Sequence, residues 1–165
     1  MEVIEQHGII GQAVKLALEL LLQTPCGNFF GGPPARTDLY NLLRTGRIRF
    51  EELERPFLED GVFPNVMWAT NNPFVEAPEG DLFGGGEILI NTLGPFSTDD
   101  GVIEIDGSKH DILRIEGFGL TMEQRRAVTV LHEFGHLRNK IPDDATRGSK
   151  QNSQDIIDAC FSNED

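Results

Sequence analysis

Leu131-His132-Glu133-Phe134-Gly135-His136-Leu137 is the stretch on which the reading of this chain turns. It contains H-E-x-x-H. Four residues advance an α-helix by about 400°, or about 40° past a full turn, so His132 and His136 lie on one face. Both imidazoles can then reach a single ion at a Zn–N distance of about 2.0–2.1 Å. Glu133 sits about 100° further round the helix. From there it can act on a metal-bound water without being a ligand. The plainer alternative is an amphipathic helix whose His and Glu are only solvated or salt-bridged.

The flanking residues favour a real helix with an apolar back. Thr121-Met122-Glu123-Gln124 fits a capping box, with Thr121 as N-cap and Gln124 at N3. Ala127, Val130, Leu131, Phe134 and Leu137 follow as an apolar stripe at three/four spacing. Gly135 weakens the helix and would allow another segment to approach closely.

A catalytic zinc usually has three protein ligands and leaves the fourth position to water. After His136 comes Leu137-Arg138-Asn139-Lys140-Ile141-Pro142-Asp143-Asp144. Asn139 tolerates the left-handed conformation that ends helices, and Pro142 keeps the helix from resuming for long. The chain therefore turns and can bring Asp143 or Asp144 back to the histidines. Asp155 or Asp158 on a final helix, or no third protein ligand, are the other possibilities the residues leave open.

This arrangement resembles the extended H-E-x-x-H-x-x-G-x-x-H/D pattern of metzincins and of small snapalysin-like bacterial proteases, which use Asp as third ligand. Asn139 stands where they have Gly, the carboxylate comes one or two residues late, and no Met follows for a Met-turn. The chain is more similar to a group of small bacterial zincin-like proteins. In that group L-H-E-h-x-H is followed by a short I-P-x-D loop and an S-x-x-N/S…I-x-x-C-F ending. The matching residues are Leu131 to His136, Ile141-Pro142-Asp143-Asp144, Gln151-Asn152-Ser153, Ile156 or Ile157, and Cys160-Phe161. The resemblance covers the last part of the chain and implies Asp144, rather than Asp143, as third ligand. Peptide deformylases also carry H-E-x-x-H, with Cys as third ligand, but Thr24-Pro25-Cys26-Gly27 does not match their E-G-C-L-S context.

Residues 1–165 read as a single domain, long enough for a sizeable core. Net charge is −13, which repels nucleic acid and anionic membrane and makes both poor partners. A peptide or protein substrate and a monomeric state are expected. Lys15, Glu19 and Gln23 interrupt the apolar run at the start, and Glu2 and Glu5 are wrong for a basic leader. The chain can still be a mature domain cut from a longer secreted one. Cys26 and Cys160 each flank a helix near one end of the chain. They could form one disulfide, which implies an oxidising, secreted or periplasmic setting. Alternatively both are buried apolar residues or metal ligands.

Elsewhere the pattern predicts a helix over Ile9 to Leu22, stopped by Pro25, and a loop over Asn28 to Pro34. A short helix is expected over Thr37 to Thr45, capped by Thr37 or Asp38, with a further helical turn over Glu51 to Phe57. Val62 to Thr70 and Glu87 to Asn91 read as strands around a Gly-rich loop, Gly80 to Gly86. Val102 to Ile105 and Ile112 to Ile115 read as a hairpin about Asp106-Gly107-Ser108. Ser153 to Cys160 is expected to be a final helix packing behind the metal helix. Ile88 to Asn91 is the candidate strand for pairing with substrate, and Tyr40 and His110 are candidate oxyanion donors. For all three the ordinary structural role competes.

The fold expected is α+β and zincin-like, with a twisted, mostly antiparallel or mixed sheet packed on the H-E-x-x-H helix and the terminal helices. The expected function is zinc-dependent peptide-bond hydrolysis: His132, His136 and Asp144 hold Zn²⁺ and Glu133 is the general base. The competing reading is an inactive zincin-fold binding or toxin-associated module.

Overall fold

The structure is a computed structural model that describes residues 2–78 and 84–161. It is a mixed α+β arrangement of helices and small open sheets. Residues 80–83 of the expected Gly-rich loop lie outside the described residues.

The chain begins with α1 (Glu2–Gln6), α2 (Gly8–Leu21) and α3 (Thr24–Phe29). Pro25 does end α2, but it also opens α3, because proline is tolerated in the first helical turn where its missing N–H costs nothing. The loop expected from Asn28 therefore starts later. Next comes α4 (Pro34–Arg44), with Pro34 in its first turn, so Thr37 and Asp38 lie inside the helix rather than capping it. Asp38 is buried there. Arg138 grips it with a two-pronged ion pair, Nη2 to Oδ1 at 2.7 Å and Nε to Oδ2. Losing Arg138 would leave the Asp38 charge buried and unpaired, at a cost of about 3–5 kcal/mol.

The main sheet has the order β1 (Ile48–Glu51), β5 (Glu87–Asn91), β4 (Ala69–Asn72). β1 runs parallel to β5 and β4 antiparallel to it, so this sheet is mixed. No helical turn forms over Glu51 to Phe57: Glu51 ends β1, residues 52–56 are irregular and Phe57 begins the next strand. In β1 only Ile48 is buried, while Phe50 is exposed and Arg49 pairs with Glu51 and Glu87. The strand expected over Val62 to Thr70 splits. β3 (Phe63–Asn65) forms a hairpin with β2 (Phe57–Glu59), and only β4 joins the main sheet. Buried Asn91 explains the split. It donates to Glu54 O and Met67 O and accepts from Leu53 N and Leu93 N, all at 2.8–3.1 Å, clamping both loops beside β5.

The second hairpin closes earlier than expected. β6 (Val102–Ile105) pairs with β7 (Ser108–Asp111). Asp106 and Gly107 both have positive φ, 51° and 81°, as a tight two-residue turn requires. Asp111 then caps α5 (Ile112–Glu116), accepting from Arg114 N at 3.0 Å, so the expected strand Ile112 to Ile115 is helical.

α6 (Met122–Leu137) runs through the middle. Both halves of its capping box are present: Gln124 N donates to Thr121 Oγ1 at 3.1 Å, and Thr121 N to Gln124 Oε1 at 2.9 Å. Such a cap contributes about 1 kcal/mol. Ala127, Val130, Leu131 and Phe134 are buried against α2, the sheet and α8 (Ser149–Cys160). A Cβ on Gly135 would lie 3.1–3.4 Å from Ile141 and Phe30, so the small residue does admit a close neighbour. Between α6 and α8 lies the single turn α7 (Asp144–Arg147). Cys26 in α3 and Cys160 in α8 form a disulfide. No described helix is long and apolar enough to cross a membrane.

Candidate metal centre

The end of α6 is built to send the chain back on itself. Asn139 has φ 58°, its N–H donates to His136 O at 3.2 Å, and Lys140 N donates to Gly135 O at 2.8 Å. That pair of bonds is a Schellman ending, which satisfies the last carbonyls and reverses the chain. Ile141 is then buried against Gly135. Asp143 caps α7, which makes Asp144 its first residue.

Asp144 thereby meets the two histidines. Its Oδ1 is 3.1 Å from His132 Nε2 and 3.0 Å from His136 Nε2, and the two Nε2 atoms are 3.2 Å apart. Three vertices of a tetrahedron around an ion at about 2.0–2.1 Å are roughly 3.3 Å apart. The observed triangle is close to that size, so His132, His136 and Asp144 can hold a metal ion. The donor chemistry fits as well. Two ring nitrogens and a carboxylate oxygen converging on one point are donors of the kind that divalent metal ions take.

The α8 helix supports the group from behind. Ser153 Oγ lies 2.9 Å from His132 Nδ1. Asn152 donates to Asp144 Oδ1 at 2.9 Å and to Pro142 O at 2.8 Å, pinning the returning loop. Such contacts orient a ligand and fix the histidine tautomer. Burial works against ionisation of Asp144, but hydrogen bonds from His132 and Asn152 outweigh it and hold the carboxyl well below its usual range.

Glu133 lies beside the triangle and outside it. It is 8% exposed, and Asn71 Nδ2 donates to its Oε1 at 2.7 Å. Burial pushes its carboxyl up, against the charge of His132 and the Asn71 hydrogen bond. His132, His136, Asp144, Ser153, Glu133 and Asn71 border one cavity of about 900 Å3, whose wall also includes Trp68, Thr70 and Arg125.

Of the residues considered from sequence, His132, Glu133, His136 and Asp144 come together. Asp143 is exposed at the cavity rim, where its side chain caps α7 rather than joining the histidines, Asp155 is bound to Arg147, and Asp158 to Gln154. Tyr40 packs against the core from α4, and His110 lies in β7 opposite Ile103; neither borders the cavity. β5 cannot offer Ile88 to Asn91 to a substrate, because β1 and β4 cover its two edges. β4 borders the cavity with three of its residues and β3 with Asn65, and among the described residues no strand pairs with the outer edge of β4. Sequence reasoning assigned no role to Asn71, Asn152, Ser153 or Arg125. For Asn152 and Ser153 a signal existed: they are polar residues on the face of α8 that also carries Ile156 and Cys160.

No protein family, curated protein or solved structure matches this chain.

Proposed function

We propose that the protein is a zinc-dependent peptide hydrolase with a zincin-like architecture, in which His132, His136 and Asp144 hold the metal and Glu133 is the general base. The observation that carries this reading is a buried carboxylate, Glu133, set beside a three-donor group without belonging to it, in a cavity roomy enough for a peptide segment. Bound Zn²⁺ would supply Lewis acidity, lowering the pKa of a ligated water toward about 7 and polarising a carbonyl.

The chain's own residues do the rest. Glu133 takes the proton of the attacking water on a carboxylate oxygen and returns it to the leaving amine. Asn71 holds Oε1, which leaves the other oxygen for that proton. With an ion bound, the His132 tautomer protonated at Nδ1 would donate to Ser153 and leave Nε2 free for the metal. The edge of β4 with which no described strand pairs would accept an extended peptide by strand addition. A purely structural zinc usually closes with Cys, and both cysteines are already paired with each other. The disulfide fits a secreted or periplasmic protein.

The test is zinc content together with cleavage of a blocked peptide pool, for the parent and Glu133→Gln. The expected result is about one zinc per chain in both proteins, with cleavage falling by about 10²–10⁴-fold in the variant. Cleavage at the parent rate by Glu133→Gln would overturn the mechanism. Zinc bound without cleavage by the parent would leave a non-catalytic module.

A further inference from the structure

The cavity extends from the histidines toward the start of α6, where its wall carries Arg125. Arg125 is 8% exposed. Its guanidinium lies over the Trp68 ring, 4.2 Å from the centroid, and Nη1 donates to Thr129 Oγ1 at 2.8 Å. Its Nε is closed off from solvent and has no hydrogen-bond partner. Among the described residues it forms no ion pair. The acid whose field reaches it is Glu116. That carboxyl is raised by burial and engaged by Trp68 Nε1 at 3.3 Å, so it balances the guanidinium only in part. Burial lowers the pKa of Arg125 to about 10, which leaves it charged at neutral pH.

A buried cation without an ion pair is expensive to keep for packing alone. Its rigid fork matches a carboxylate or a phosphate, and of the two an unmodified peptide carries only the carboxylate. The other charges at the cavity wall, Glu54, Asp143 and Lys150, are exposed at the rim, where water and salt screen them. The helix rises about 11 Å between Arg125 and His132, the length of roughly three residues of extended chain.

We propose that Arg125 forms a carboxylate-binding subsite, so that the preferred peptide carries an acidic side chain or a free C-terminal carboxylate a few residues from the bond that is cut. This rests on the reading of the cavity as a peptide-hydrolase site.

Trp68 is the only tryptophan and stacks on Arg125, so its fluorescence reports the subsite without any turnover. The experiment titrates full-length Glu133→Gln protein with short peptides. One set is blocked at both ends with Glu or Gln at each position in turn. A second set is identical in sequence but compares a free C-terminus with an amide. The expected result is binding at least tenfold tighter for Glu over Gln at one position, or for acid over amide, and which set shows it identifies the source of the carboxylate. Adding Arg125→Met should bring that ratio to about one, and Arg125→Lys, which keeps the charge without the fork, should retain part of it. If the Met variant does not fold, the Lys variant carries the comparison. Equal binding in both sets, a preference for a basic residue, or an acid preference undiminished in the Arg125 variants would overturn the subsite. Because this readout needs no catalysis, acid-selective binding by a chain that cleaves nothing would reject the hydrolase and keep the subsite. Cleavage without acid-selective binding would do the reverse.

Discussion

Ser153 Oγ lies 2.9 Å from His132 Nδ1, a polar contact that ties α6 to α8 beside their apolar packing. With Nδ1 as donor, Nε2 keeps its lone pair for the ion. Ser153→Ala should therefore weaken metal binding by about 10–100-fold while the fold survives. Competition for zinc against a chelator of known affinity measures this. Unchanged affinity would show that the hydroxyl does not set the tautomer.

Asp144 and Asp143 are neighbours with different surroundings, one against the histidines and the other exposed at a cap. Asp144→Ala should lose most of its zinc on dialysis. Asp143→Ala should keep it and lose at most about 1 kcal/mol of stability with the cap. Elemental analysis of the two proteins side by side decides between them, and the opposite pattern would move the third ligand to Asp143.

Asn71 donates to Glu133 Oε1, and that bond favours the ionised carboxylate. A general base works deprotonated, so activity is present above its pKa and fades as pH falls through it. Removing the bond raises the pKa. Asn71→Ala should therefore move the acidic limb of the pH–rate profile to higher pH. A limb that stays in place, or moves down, would mean the bond does not tune the base.

The disulfide spans 134 residues of sequence. Cys26→Ser should lower stability by about 2–5 kcal/mol, or roughly 4–20 °C in melting temperature at about 2–4 °C per kcal/mol for a chain of this size. Because Cys160 shares α8 with Asn152 and Ser153, zinc affinity should weaken too. Calorimetry with and without zinc tests both effects. Equal melting temperatures with and without reductant in the parent would remove the stabilising role.

What could be read from the sequence was what short-range rules govern. The capping box at Thr121, the stripe from Ala127 to Leu137 and the left-handed Asn139 each depend on residues within a few positions of one another. So does the return of the chain after His136, although these rules left Asp143 and Asp144 both open and only the resemblance pointed to Asp144; two cysteines made one disulfide possible without requiring it. The reading failed where the deciding neighbour is distant. Asn71 meets Glu133 across 62 residues, and nothing local marks it as anything but a polar strand residue. Asp38 looks like a cap until Arg138 is seen to grip it. Ile112 to Ile115 has strand-like composition, yet the Asp106-Gly107 turn uses up the pairing length and leaves Asp111 to start a helix.

Cys26 and Cys160 also turn most of the chain into a covalent ring. A cut anywhere between them opens the ring without releasing a fragment. A protein proposed to hydrolyse peptide bonds, and to live among others that do, can thus be nicked and still hold its histidines and Asp144 on one connected molecule. Such damage would pass unseen on a non-reducing gel and appear as two bands only after a thiol is added.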